Sequence, residues 1–260
     1  MGATTKIDWA DASWNPVSGC LHGCRYCYAR HIARRYKGYD APGGKGITTD
    51  CPLKRAELSE PLTVTWGDGI ERSAPYPFGF KPTFHKYRLD MPARWRTPRS
   101  IFVCSMADLF GEWVPDEWIK DVFDACAAVP RHRYMFLTKN PARYIALMEK
   151  GMMPTEDNFW YGTTVTTPDE HYFFCDSVHT FLSVEPILEP FENAGNRNCR
   201  VDWIIVGAET GRRRSKVIPK REWILDIVFN CLNSKTPMFM KESLRDIMGE
   251  YFRQEFPWEV

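Results

Sequence analysis

Three cysteines near the start of the chain have the type and spacing of metal ligands. Cys20, Cys24 and Cys27 fall in one short loop, at spacings of four and three residues. A four-iron cluster normally takes four cysteine ligands, so a loop that supplies three leaves one iron with an open coordination position. A zinc site is more often completed locally by a fourth Cys or a His, and His22 lies inside the loop. Ligation by His22 between two ligating cysteines would be cramped, so the pattern favours an iron–sulfur cluster and leaves a structural zinc loop as the alternative.

The other six cysteines are scattered singly and do not indicate a second metal centre. Residues 1–12 include Asp8 and Asp11 and lack the apolar stretch of a secretory signal. Disulfides are therefore not expected, and a cytoplasmic location is predicted. No apolar run approaches the roughly 20 residues of a bilayer-spanning helix, so no membrane partner is expected.

The pattern of apolar residues after residue 100 predicts the strands and helices that position the cysteine loop. Short runs rich in β-branched and aromatic residues alternate there with helical patterns, which is typical of βαβ units and a parallel sheet. The predicted strands are 100–104, 133–137, 159–165, 180–184, 202–206 and 236–240. The predicted helices are 115–129, 141–150 and 220–233.

Polar side chains stand at the carboxyl end of each predicted strand. In a parallel barrel, ligand-binding groups collect at these ends, where the loops that lead into the helices meet. Glu185 and Glu209 are candidates for holding a polar substrate or moving a proton, and Lys241 shares that role. Salt bridges to Lys139, Lys241 or the arginines at 212–214 are the alternative role of the two carboxylates. The further candidates at strand ends are Ser105, Asp108, Thr138, Lys139, Thr164 and Thr166.

Residues 38–84 differ from the rest of the chain. They contain Gly43-Gly44-Lys45-Gly46 and six prolines, and they show little periodicity. This composition predicts an irregular insertion or lid. Neither end of the chain has a composition shift that resembles a linker, so residues 1–260 are expected to form a single domain.

The cysteine pattern, with aromatic Tyr26 directly before the last cysteine, resembles the defining motif of the radical S-adenosylmethionine superfamily. The resemblance extends to a phage-associated branch of that superfamily whose function is unknown. Many members of the branch have a longer insertion between the first two cysteines, whereas this chain has the compact superfamily spacing. The matching stretches are 9–20, 84–89, 101–115, 136–139, 182–186 and 203–211.

This resemblance implies a partial parallel (β/α)6 barrel whose cluster loop follows a first strand near residues 14–17. The three cysteines would hold a [4Fe–4S] cluster, and its open iron would bind the amino and carboxylate groups of S-adenosylmethionine. Reductive cleavage then gives a 5′-deoxyadenosyl radical that takes a hydrogen atom from the substrate. The electron would come from an external donor of the flavodoxin or ferredoxin type.

The resemblance also implies roles for single residues. Tyr26 would lie beside the adenine. Cys104 could return a hydrogen atom to a product radical, with buried packing as its alternative role. By position, the expected cofactor contacts are Ser105 and Asp108 at the methionyl end, Thr138 and Lys139 at the carboxylate or ribose, and Thr164 and Thr166 at the ribose.

The basic residues bear on the substrate. A net charge of +1 gives no global attraction to nucleic acid, but Arg212, Arg213 and Arg214 follow a predicted strand on the active-site side. Adjacent arginines suit phosphates, and the many aromatic residues suit stacked bases, so a nucleic-acid or nucleotide substrate is predicted. Solvated surface charge is the alternative role of the arginines.

The phage association suggests an enzyme that isomerises or otherwise modifies a nucleobase, such as a modified thymidine in phage DNA. The protein would then lie in the host cell cytoplasm. A radical enzyme that acts on a small metabolite or a peptide stays open. So do a non-catalytic zinc or iron–sulfur protein that binds nucleic acid and a redox-sensing iron–sulfur protein.

Overall fold

Short strands and helices alternate along most of the chain in a computed structural model that describes residues 5–35, 55–65, 69–191, 200–211 and 214–259. The strands are β1 Ala12–Trp14, β2 Val17–Ser18, β3 Ala56–Leu58, β4 Thr63–Thr65, β5 Glu71–Ser73, β6 Thr83–His85, β7 Ser100–Val103, β8 Arg133–Thr138, β9 Phe159–Val165, β10 His179–Val184, β11 Trp203–Val206 and β12 Met238–Met240. The helices are α1 Tyr28–Arg35, α2 Met91–Arg94, α3 Asp116–Ala127, α4 Ala142–Glu149, α5 Arg221–Ser234 and α6 Arg245–Met248.

Seven of these strands form one sheet in the order β1-β7-β8-β9-β10-β11-β12, and every neighbouring pair is parallel. The predicted α/β class with a parallel sheet is therefore confirmed. The predicted first strand near 14–17 is displaced, since β1 ends at Trp14 and β2 belongs to another sheet. Pro16 lies between them, and a proline has no backbone N–H to donate to a neighbouring strand.

The sheet is curled into a half-barrel around aromatic side chains. The Trp9 ring lies 4.7 Å from that of Phe102 on β7, 6.3 Å from Phe181 on β10 and 6.2 Å from Trp203 on β11. In a flat sheet β7 and β11 would be about 19 Å apart, so one ring touches both only because the sheet curves. The interior is consequently filled by side chains.

The other face of the sheet packs against the helices. Buried residues of β7, β8 and β9 form one cluster with the inner side of α3, and those of β10, β11 and β12 form another with α5. The alternation is visible within β9, where Trp160 belongs to the interior cluster and Tyr161 to the cluster under α3. Apolar side chains therefore cover both faces of the sheet, and the polar residues of the predicted site lie at or after the strand ends.

Short strands also occur within the predicted irregular region 38–84. β6 pairs antiparallel with β2 and parallel with β3, and β4 pairs with β5 in a two-stranded sheet. Residues 36–54 and 66–68, which include the Gly43–Gly46 stretch, lie outside the described residues. In the described parts of the chain, no helix has the length and apolar character needed to cross a membrane.

Gly162 provides a test of the interior packing. A Cβ at this position would lie 2.3 Å from the Phe181 ring, so Gly162→Ala should lower the free energy of unfolding by about 1–3 kcal/mol. Urea unfolding of Gly162→Ala, Phe181→Leu and the double variant measures the coupling. Because leucine lacks the end of the ring, the double variant should lose less than the sum of the two single losses. Strictly additive losses would show that the two residues are not in contact.

Candidate functional site

A cavity opens at the carboxyl ends of the parallel strands and brings most of the predicted site residues together. Its floor is apolar, with Ile7, Trp9, Phe102 and Leu137. The predicted residues that line it are Cys20, Cys24, Tyr26, Cys27, Ser105, Asp108, Thr138, Lys139, Thr164, Glu185, Glu209 and Lys241.

The cysteine loop, residues 19–27, is fixed at its start by a close backbone approach. Gly19 has a φ of +87°, and a Cβ there would lie 2.2 Å from the carbonyl oxygen of Lys81, so only glycine suits the position. The Gly19 N–H donates to the Met106 carbonyl at 2.9 Å, and the Cys20 N–H donates to the Phe80 carbonyl at 3.2 Å. The loop therefore leaves β2 in a set direction toward the loop after β7.

The carboxylate of Asp108 holds the middle of the cysteine loop. Asp108 is buried, and its Oδ2 lies 2.7 Å from Nε2 of His22 and accepts the Lys139 N–H at 3.0 Å. Its Oδ1 accepts the Thr138 hydroxyl at 2.8 Å and the Phe110 N–H at 3.0 Å. The carboxylate thus joins the cysteine loop, its own loop and the end of β8.

The last cysteine stands at the start of α1. The Arg30 N–H points to the Cys27 sulfur at 3.4 Å. The next residue, Tyr28, donates its hydroxyl to the Ser105 carbonyl at 2.8 Å. In the loop after β7, Met106 and Asp108 therefore contact the cysteine loop, and Ser105 contacts the first residue of α1.

A buried polar network lies behind the start of the loop. The Ser18 hydroxyl is 2.8 Å from Nε2 of His85, and the Tyr87 hydroxyl is 3.3 Å from its Nδ1. Burial, with a smaller effect from Arg88, lowers the pKa of His85 to about 3. Arg88 in turn donates to the Asn15 carbonyl at 3.0 Å. A neutral His85 therefore supports the residues that lead from β1 into the cysteine loop.

The donor set fits an iron–sulfur cluster. The thiols of Cys20, Cys24 and Cys27 are free, half-buried and line the same cavity. Among the described residues, no three His, Cys, Asp or Glu side chains converge as the ligands of one metal ion do. A cubane takes each thiolate on a different iron, so its ligands need not converge on a point. Burial raises the pKa of the Cys20 thiol to about 12, so metal binding there must displace a proton.

The wall opposite the cysteine loop carries a lone amine. Nζ of Lys139, at the end of β8, lies 5.4 Å from the centre of the Tyr26 ring. Burial is the main cause that lowers the pKa of Lys139, and among the described residues no carboxylate lies within ion-pair distance of this amine. The Thr166 side chain lies near the Tyr26 hydroxyl. Tyr26 therefore spans from the cysteine loop to the ends of β8 and β9.

The far side of the cavity carries an ion pair. Nζ of Lys241, after β12, is 2.5 Å from Oε1 of Glu185, after β10, and both side chains are largely buried. The two residues therefore meet, as in the salt-bridge alternative for Glu185. Glu209 is buried and accepts the Val217 N–H at 3.4 Å. Ionisable groups of both signs therefore face the same space from three strand ends.

Several predicted site residues do not line the cavity. Cys104 is 2% exposed and packs in the cluster under α3, where burial raises its pKa to about 12. Thr166 is buried and donates its N–H and hydroxyl to the carboxylate of Glu170. Arg214 is exposed, and Arg212 and Arg213 lie outside the described residues.

The sequence interpretation missed the pairing of His22 with Asp108 and the contact of Tyr28 with Ser105. It also missed Trp9, which forms part of the cavity floor. An Asp–His pair separated by 86 residues has no local pattern, so only the shared placement of both residues at ligand-binding loops could have indicated it.

Comparison with known proteins identifies a family whose function is unknown. A family model described as "Protein of unknown function (DUF5131)" matches residues 4–255. No curated protein and no solved structure matches the chain.

Replacement of Asp108 tests whether its carboxylate holds the site. In Asp108→Asn the amide nitrogen must face at least one of the donors, which should lower the free energy of unfolding by about 2–3 kcal/mol. Chemical unfolding measures the loss. Asp116→Asn is the matched control, because Asp116 pairs with Arg143 and Lys150 at the surface of α3, where the loss should be about 1 kcal/mol or less. Equal losses in the two variants would contradict the role assigned to Asp108.

Proposed function

The chain belongs to the DUF5131 family of proteins of unknown function, and we propose from its site that it is a radical S-adenosylmethionine enzyme. The observation that carries the proposal is the cysteine loop itself. Three thiols from one short loop face a cavity at the carboxyl ends of parallel strands, and among the described residues, which do not include Cys51 and Cys199, no fourth cysteine lines that cavity. A [4Fe–4S] cluster with one open iron suits this donor set.

Bound together, the cluster and S-adenosylmethionine would supply a 5′-deoxyadenosyl radical by reductive cleavage of the sulfonium, and that radical would take a hydrogen atom from the substrate. The chain's own residues would bind and orient the reactants. The lone ammonium of Lys139 suits a carboxylate, and the Tyr26 ring beside it suits the adenine. The apolar floor of Trp9 and Phe102 keeps water from the base of the cavity.

Asp108 and Thr138 have a positioning role in this proposal, because protein donors already engage the carboxylate. The pair of Glu185 and Lys241, with Glu209, suits the substrate side of the cavity. A carboxylate and an ammonium 2.5 Å apart can hold a polar substituent or exchange a proton with it. Cys104, which packs beneath the cavity, is not part of the proposed chemistry.

The proposed substrate is a nucleobase, such as a modified thymidine in DNA, which the enzyme would isomerise or otherwise modify. The aromatic floor and Tyr26 support a planar ligand, and the arginines at 212–214 follow the strand end that carries Glu209. A small metabolite or a peptide would use the same cavity without those arginines. The electron donor and the cytoplasmic location belong to the same proposal.

Cofactor cleavage is the direct test of the function. Protein reconstituted anaerobically with iron and sulfide, then reduced with dithionite, should convert S-adenosylmethionine to 5′-deoxyadenosine. Cys20→Ala, Cys24→Ala and Cys27→Ala should each abolish both iron incorporation and this product, since two thiolates do not hold a cubane whose fourth iron lacks a protein ligand. Cys175→Ala is the control, because this half-buried cysteine lies away from the cavity and should keep both. Full iron content in any of the first three variants would refute the assignment, and a colourless zinc protein would favour the zinc alternative.

The substrate class has a separate test. Replacing Arg212, Arg213 and Arg214 by alanine should weaken DNA binding and flatten its salt dependence by up to about three phosphate contacts. Arg96→Ala, Lys120→Ala and Lys235→Ala together remove the same charge from exposed sites elsewhere and should change neither. If the unmodified protein has no affinity for DNA or RNA at low salt, a small molecule or a peptide replaces the nucleobase as substrate, and the radical chemistry is unaffected.

A further inference from the structure

The charged side chains of the cysteine loop and α1 are all of one sign. No Asp or Glu occurs between Asp11 and Asp40, whereas arginines recur throughout the loop and α1. Arg25 in the loop and His31 and Arg34 on α1 are exposed, and Arg30 is half-buried. These four residues form a basic patch directly beside the thiols, since Arg25 lies between Cys24 and Cys27 in sequence.

Apolar side chains accompany the basic patch. Leu21, within the cysteine loop, is 52% exposed, and Tyr28, at the start of α1, is 48% exposed. Arginine and aromatic residues beside an exposed aliphatic side chain are the composition of a protein interface core, whereas solvated charge alone is the composition of ordinary surface. The surface therefore suits a protein partner with an acidic face.

We propose that the basic patch, with Leu21 and Tyr28, is the docking surface for an acidic one-electron carrier protein that reduces the metal centre held by the cysteine loop. This inference rests on the proposed function, which needs an electron from outside the chain. One electron passes from the reduced carrier to the oxidised centre, and no bond forms or breaks. The carrier loses that electron and the centre gains it.

The arrangement of the loop explains why the electron enters here. One side of the loop is fixed against Met106, Asp108 and Phe80, and the thiols face the cavity that the reactants would fill. Leu21, Gly23 and Arg25 face solvent on the other side. A carrier docked on Leu21 and Arg25, neither of which lines the cavity, comes close to the thiols, and Tyr28, which does line it, marks the rim where the docking surface ends.

Nucleic acid is the other macromolecule that a basic surface attracts. Phosphate contacts need cations, and they leave no role for an exposed leucine beside the metal site. An acidic protein uses both the cations and the apolar side chains. The observations therefore favour the carrier, and DNA affinity becomes a control measurement.

Charge reversal tests the docking surface. Arg25→Glu/Arg34→Glu should weaken binding of oxidised flavodoxin by about tenfold or more at low salt and should flatten its salt dependence, because complementary charge steers and retains the carrier. Isothermal titration of the cluster-loaded protein measures this affinity, and stopped-flow absorbance measures reduction by reduced flavodoxin. His31→Glu/Arg34→Glu, which leaves the cysteine loop untouched, should show the same direction of change. Dithionite-driven formation of 5′-deoxyadenosine should be unchanged in His31→Glu/Arg34→Glu.

The matched control is Arg96→Glu/Lys235→Glu, which changes the net charge by the same amount. These exposed residues precede β7 and β12, at the amino ends of the strands, whereas the cavity beside the cysteine loop lies at the carboxyl ends, and flavodoxin binding should stay within about twofold of the original. Equal weakening in the control and patch variants, or none in either, would overturn the docking surface. So would a loss of DNA affinity with flavodoxin binding intact. Failure of the unmodified protein to form 5′-deoxyadenosine with dithionite would instead overturn the proposed function.

Discussion

The buried carboxylate of Asp108 is the interaction on which the geometry of the site depends. It pairs with His22 of the cysteine loop and accepts the backbone N–H of Lys139 at the end of β8. The Lys139 side chain returns to the Tyr26 ring on the same cysteine loop. One carboxylate therefore fixes the position of the cysteine loop relative to Lys139. A loop that begins at a glycine with positive φ would otherwise have wide conformational freedom.

The curled sheet determines what kind of cavity the cysteine loop and Lys139 face. Aromatic rings fill the interior, and the cavity of the site lies at the carboxyl ends of the strands, where polar residues begin. Glu185 and Lys241 neutralise each other on one side, whereas on the other side no carboxylate among the described residues forms an ion pair with Lys139. Burial lowers the pKa of that amine because a charged ammonium loses hydration there, and an anionic ligand would restore the balance. The cavity therefore favours a ligand with a negative group beside a planar ring.

The sequence predicted the helices and strands better than the long-range contacts between side chains. Helices predicted at 115–129 and 220–233 occur at Asp116–Ala127 and Arg221–Ser234, because apolar residues at helical spacing and a Pro-Asp-Glu start are local signals. The strands that end before Glu185 and Lys241 were also predicted from a local signal, short runs rich in β-branched and aromatic residues. The pairing of His22 with Asp108 and of Ser18 with His85 joins residues 86 and 67 positions apart, and no local pattern encodes it. Thr166 was expected to contact the cofactor, but its N–H donates to the Glu170 carboxylate, as does the N–H of Thr167. This contact depends on a turn that the composition of the sequence does not indicate.

The central claim is that three cysteines hold a four-iron cluster with one iron open to S-adenosylmethionine. Electron–nuclear double resonance of the reduced protein with S-adenosylmethionine labelled with 15N at the amino group and 13C at the carboxylate measures that bond directly. Strong couplings to both labelled atoms, in protein that carries about four irons per chain, are the predicted result. Absence of any coupling in a fully loaded, reduced cluster would contradict the claim, since it would mean that no iron is open to the cofactor.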